Sequence, residues 1–164
     1  MRRGLKLILP MLLLVLLVGS ALAIDKTHDI IVTIPEILEL ELSTDLIDLG
    51  SFIEVGGVLQ ERIASTTPLV VKYRCNYPNG WELRVSAVDF VNSEHADLKI
   101  PVDHLSWGTT PETIENVMAS GGNVVDSGRE PVNTSVNIYY ALRLPDNPFA
   151  GQYRSTVTYT LLAL

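Results

Sequence analysis

Along most of this chain apolar and polar residues alternate with a period of two, the spacing at which side chains i and i+2 share one face of a strand. Ile30, Val32 and Ile34 alternate with Ile31 and Thr33, and Ile37 to Leu42 alternates cleanly beyond Pro35. The pair predicts one strand broken by Pro35, or two consecutive short strands. Ile47 to Ile53 predicts a further short strand around Gly50. Gly56-Gly57 interrupts the pattern, and Val58 to Thr67 reads as a connection or weak strand.

Pro68 to Cys75 is β-branched and aromatic, and Trp81 to Phe90 alternates, with Trp81, Leu83, Val85 and Ala87 on one face. Between them lies Asn76-Tyr77-Pro78-Asn79-Gly80, where proline presets φ and Asn and Gly tolerate positive φ. Together these predict a β-hairpin. Leu98 to Trp107 predicts another strand, with Pro101 marking an edge position. Residues 108–123 are small and polar, but Ile114, Val117 and Met118 have helical spacing, so Thr113 to Ala119 predicts one helical turn. Val132 to Leu144 and Gln152 to Leu162 predict two long closing strands, joined by a segment with Pro145, Pro148 and Gly151. Seven to nine short strands with turn residues at each junction predict an all-β fold, an antiparallel β-sandwich of immunoglobulin-like type. Only one cysteine is present, so the Cys…Trp…Cys spacing of true immunoglobulin domains is absent and only the architecture is implied.

The first residues follow another rule. Arg2, Arg3 and Lys6 precede a twelve-residue apolar run, Leu7 to Val18, and then small residues up to Ala23. Such a run is short of the ~20 residues a membrane-spanning helix needs. Residues 1–23 therefore read as a secretory signal peptide, with Ala21 and Ala23 at the positions that signal peptidase reads, and residues 24–164 as a single β-sandwich domain. Cleavage would remove three of the 12 basic residues and none of the 19 acidic ones, leaving nine against 19 and a net charge of −10. That balance argues against nucleic acid as a partner, since the phosphates would be repelled. Cys75 is expected to pack as a small hydrophobe in its strand.

Two stretches carry a family resemblance. Asn79-Gly80-Trp81-Glu82-Leu83 resembles the first Trp-x-Leu motif of WxL domains, secreted β-domains of Gram-positive bacteria. Gly151 to Leu161 resembles their C-terminal motif, with Tyr159 where the second Trp is expected. The closing Gly-x-Tyr turn and alternating strand are also similar to those of spore-coat-U-like and pilin domains. The WxL resemblance implies a non-catalytic domain at the cell surface, associating with peptidoglycan. Trp81 with Leu83, and Tyr159 with Leu161, each share a strand face, so each pair is either core or a surface-recognition motif.

Candidate chemistry is sparse. His28, His95 and His104 lack the spacing of zinc ligands on one element, and a site from His95, Asp97 and His104 needs the fold to bring them together. Asp89, Glu94, Asp97 and Asp103 flank a turn, where solvated acids are expected. No serine sits in a nucleophile motif, and neither a P-loop nor a dinucleotide fingerprint is present, so no enzyme activity and no cofactor are expected. Asn133-Thr134-Ser135 matches an N-glycosylation sequon.

The expected function is a secreted, cell-wall-associated structural or adhesive domain. Its partners would be a cell-envelope polymer (peptidoglycan or polysaccharide) or other surface proteins. One alternative is a pilus or fibre subunit that assembles by strand donation as a homo-oligomer, with Asp29 to Leu42 as donor. The other is a carbohydrate-binding module that uses Tyr73, Tyr77, Trp107, Tyr139 and Tyr140.

Overall fold

A computed structural model describes residues 24–164, so the expected signal peptide, with Ala21 and Ala23, lies outside the described residues. Chain packing separates Ile34–Leu164 from the residues before it. Within the described residues the secondary structure is β throughout, apart from one turn of 3-10 helix at Val102–His104. The strands are β1 (Leu38–Leu42), β2 (Glu54–Val55), β3 (Val58–Leu59), β4 (Arg62–Ala64), β5 (Leu69–Cys75), β6 (Trp81–Ala87) and β7 (Phe90–Asn92). They continue with β8 (Lys99–Ile100), β9 (Leu105–Gly108), β10 (Asn116–Val117), β11 (Asn123–Gly128), β12 (Val132–Arg143), β13 (Tyr153–Arg154) and β14 (Val157–Ala163).

All pairings are antiparallel. The largest sheet has the order β1-β5-β12-β9-β10, with β4 also on β12; a second runs β11-β6-β14 and a third β13-β7-β8. The third continues the second. Val88 N–H still bonds Thr156 C=O, after which Val88, Asp89 and Phe90 oppose only Ser155 and Thr156, so the β6–β7 and β13–β14 strands bend together. β2 and β3 form a separate hairpin whose two-residue turn, Gly56-Gly57, has both φ values positive (63° and 85°), the backbone this turn requires.

Alternation decides what is inside. Leu69, Val71, Tyr73 and Cys75 of β5 are buried, and so are Trp81, Leu83, Val85 and Ala87 of β6. They share one hydrophobic cluster with Ile138, Tyr140 and Leu142 of β12, Leu105 and Trp107 of β9 and Leu161 of β14. Two sheets thus face each other across one core, an arrangement consistent with a β-sandwich.

Several local expectations are corrected. The turn at residues 76–80 forms, with Gly80 N–H bonded to Tyr77 C=O, but it does not close a hairpin: β5 and β6 belong to different sheets and meet face to face. Both strands bury a complete inner row, which stacking satisfies as well as side-by-side pairing, and β12 and β14 take the edges instead. Leu98 to Trp107 is likewise divided. Pro101 ends β8, an edge strand as its proline suggests, and the 3-10 turn carries the chain to β9 in the other sheet.

Ile47 to Ile53 forms no strand. Thr44 Oγ1 bonds Leu46, and Asp48 Oδ1 accepts from Gly50 N–H, so side chains occupy backbone groups that a ladder would need. The helical turn at Thr113–Ala119 is absent too, because Asn116 and Val117 pair with β9 and Met118 N–H bonds Leu105 C=O. β11, which starts where the polar stretch ends, is a strand not anticipated from the sequence. Of the predicted strand pair around Pro35, only Leu38–Leu42 is a strand, in register with β5.

Two substitutions test this packing. Leu83→Ala, at a fully buried position, is expected to lower stability by about 2–5 kcal/mol. Gly80→Ala is expected to cost about 1–3 kcal/mol, because φ is +106° there and a Cβ would lie 2.6 Å from Gly128 O. Urea unfolding of both against wild type measures them; two wild-type-like midpoints would contradict the stacked arch.

Candidate functional site

The four motif residues are placed by β6 and β14, which pair with each other at Leu83↔Leu161 and Val85↔Tyr159. Trp81, Leu83 and Leu161 are buried, and Tyr159 is half-buried against the same core. Trp81 donates its indole N–H to Glu130 C=O at 2.9 Å and packs its ring against Tyr73, centroids 5.4 Å apart and tilted by 51°. As placed, these side chains face inward and offer no outer surface to a ligand.

Two hydroxyl contacts bridge the sheets. Tyr73 on β5 donates to the Asp126 carboxylate on β11, and the Tyr140 and Tyr159 hydroxyls, on β12 and β14, lie 2.6 Å apart. Burial pushes Tyr140 up to about 12 and Tyr159 further still, with the neighbouring Tyr140 adding to the latter. Tyr73 is raised as well, first by burial and then by its bond to Asp126. These phenols stay neutral and act as polar ties within an apolar interior.

Of the five rings considered for sugar binding, Tyr73, Trp107 and Tyr140 are buried, and Tyr77 and Tyr139 are half-buried. Tyr77 donates to Glu36 at 3.0 Å, which raises its hydroxyl pKa. No open platform of coplanar rings results. Among the described residues no three His, Cys, Asp or Glu side chains are grouped to hold a metal ion. His28 and His95 are exposed, and His104 places Nδ1 3.1 Å from Arg143 C=O. Asp89 accepts from Val102 N–H, so it serves the 3-10 turn. Cys75 is buried with a free thiol.

The outer face of the first sheet is charged and shallow. Register sets Glu39 beside Arg74 and then Asn133, and Glu41 beside Lys72 and then Ser135, around a depression of about 430 Å³. Glu39 and Arg74 form an exposed ion pair at 2.9 Å, the kind that contributes about 0.2–1 kcal/mol. Asn133, the sequon residue, is exposed on this face.

The largest concentration of uncovered apolar side chains lies elsewhere. Ile30, Ile31, Val32 and Ile34 are between 76 % and 89 % exposed, and residues 24–37 form no strand. The alternation of this stretch was legible in the sequence; its lack of a partner was not. Among the described residues no helix is long and apolar enough to cross a membrane.

Compared with protein-family models the chain matches none, and no curated protein matches it.

The buried phenols define a pH dependence. An unfolded chain ionises its tyrosines near pH 10, whereas Tyr140 in the fold holds its proton to about 12. Above pH 10 the unfolded state therefore binds fewer protons than the folded one. Stability is fully present below that pH and falls as pH rises from about 10 towards 12. Urea midpoints measured across this range should show the decline, and Tyr140→Phe should flatten it while costing about 1 kcal/mol at neutral pH. An equally steep decline in the variant would contradict the assignment.

Proposed function

We propose that this protein is an exported, non-catalytic structural domain of the cell surface, an immunoglobulin-like sandwich that works by association and not by chemistry. The observation that carries this reading is the distribution of apolar surface. The core between the sheets is apolar, while among the described residues Ile30, Ile31, Val32 and Ile34 form a run of exposed apolar side chains, each more than three-quarters exposed. Apolar surface of that kind is a contact element.

The strand order supports the immunoglobulin-like type. In chain order β1, β5, β9 and β12 occupy the places of strands A, B, D and E in one sheet, and β6 and β14 those of C and F in the other. The N-terminal pattern of residues 1–23 supports export, with Ile24 as the first residue of the mature protein. The WxL resemblance supports the cell wall as its place. With Trp81, Leu83 and Leu161 buried, attachment there would use the outer faces or the Ile30–Ile34 stretch, and the envelope polymer or a surface protein is the counterpart. The alternative of a fibre subunit is compatible with the same exposed stretch and is the more specific form of the reading.

The test is fractionation of cells making the full chain, followed by N-terminal sequencing. The expected result is a protein that starts at Ile24, sediments with envelope material and hydrolyses no cell-wall polymer. Recovery of the chain in the cytosol with Met1 or Arg2 at its start would refute export.

A further inference from the structure

We infer that the Ile30–Ile34 stretch of one molecule adds as a strand to the open edge of β14 in a second copy, so that copies join head to tail. The inference deepens the reading above by naming the partner and the site.

The acceptor is identified by how each sheet ends. Exposed strand edges are templates for pairing, and native proteins blunt them with charges, prolines, bulges or shortness. Among the described residues β10, β8, β13 and β4 are only two or three residues long. β1 carries Glu39 and Glu41, and β11 has a register shift between Val124 and Asp126. β14 has none of these protections: Val-Thr-Tyr-Thr-Leu-Leu-Ala is seven residues without a charge, proline or glycine, and it ends its sheet.

Phase tells which groups are free. Leu164 N–H bonds Gly80 C=O and Val88 N–H bonds Thr156 C=O, and both contacts fall on the even-numbered phase of the β6–β14 ladder. Hydrogen-bonded pairs alternate in an antiparallel ladder, so the odd-numbered residues Val157, Tyr159, Leu161 and Ala163 aim their backbone N–H and C=O at the open edge.

Beside that edge lies apolar surface that an added strand would cover. Leu38 and Leu42 are opposite Cys75 and Val71 and so share the core-facing side, yet they remain 46 % and 43 % exposed. Val157 and Tyr159 are only half-buried on the facing strand. β1 comes close to β14 there without pairing with it.

The donor is matched in kind. Ile30-Ile31-Val32-Thr33-Ile34 is five β-branched residues in a row, the composition with the highest strand preference, with no charge or proline to prevent pairing. Ile30, Val32 and Ile34 fall on one side of such a strand and are the residues to enter the seam; Ile31 and Thr33 face outward. A contact between two different surfaces of one chain is heterologous, so copies add head to tail in series, as an open chain or a ring.

The experiment uses residues 24–164 and three forms: wild type, the donor variant Ile30→Asp/Val32→Asp, and the edge variant Ala163→Pro, which removes an outward N–H and leaves the bonds to β6. Native mass spectrometry of wild type should show a concentration-dependent ladder of oligomers. Each variant alone should be monomeric, and an equimolar mixture should stop at a one-to-one dimer. Amide exchange guards against a variant that simply fails to fold. In the folded donor variant the Tyr159, Leu161 and Ala163 amides should exchange fast while Thr158, Thr160 and Leu162 stay protected by β6. In wild-type oligomers both sets should be protected.

A wild type that is monomeric at every concentration would overturn the inference, as would a donor variant that assembles like wild type, or oligomers whose odd-numbered amides still exchange fast. A monomer that nevertheless sediments with the envelope would sink only this inference. A ladder formed by a protein that cells keep in the cytosol would sink only the surface reading.

Discussion

Stacking of two complete inner rows, Leu69-Val71-Tyr73-Cys75 on β5 against Trp81-Leu83-Val85-Ala87 on β6, is the constraint from which the rest of the fold follows. Each row presents four buried side chains at a spacing of two, and burying a large apolar side chain contributes about 1.5–3 kcal/mol. Had the two strands paired edge to edge, both rows would have pointed the same way and needed a second sheet to cover them. Placed face to face, they cover each other. Their edges are then open for β12 and β1 on one side and for β14 and β11 on the other, and both sheets are built outward from that decision.

The polar groups inside this core act as ties between the sheets. Tyr73 reaches Asp126, and Tyr140 meets Tyr159, each pair joining one sheet to the other. A neutral hydroxyl can be buried at small cost when it is hydrogen-bonded, whereas its phenolate cannot. Such pairs hold two faces at one relative position, which apolar contacts alone specify weakly. They also absorb the residues that a search for chemistry would single out: the tyrosines and the Trp-x-Leu pair contribute to the framework. What remains for function is the outside.

On the outside, among the described residues, an unprotected strand edge and an exposed run of β-branched residues that pairs with no strand occur in the same chain. Either alone is a liability, since an uncharged edge invites pairing and an exposed run of β-branched residues seeks it. Elsewhere this chain does control its edges, with Glu39 and Glu41 on β1, a shifted register in β11 and strands of two or three residues at the other margins. The absence of such control along β14 is therefore local, and it coincides with half-covered leucines on the core side of β1. The strand donation proposed above would resolve both conditions at once.

The alternation of residues determined by itself that this protein is made of strands and which residues of β6 and β14 share a face, because period two is a property of neighbours along the chain. The turn at residues 76–80 was equally legible, since proline, asparagine and glycine fix backbone angles locally. The same locality explains how Trp81 and Leu83, or Tyr159 and Leu161, could be seen to share a face but not whether that face was covered. Only the tertiary structure decided that the 76–80 turn is an arch between sheets, that Pro101 hands the chain from one sheet to another, and that residues 113–119 extend along β9 instead of coiling. Each of those choices rests on which distant strand accepts a backbone hydrogen bond, and a backbone donor or acceptor is chemically the same at every position. A chain can therefore state where its strands lie without stating which of them are adjacent, and the shape of all surplus surface, including the open edge of β14, follows from adjacency.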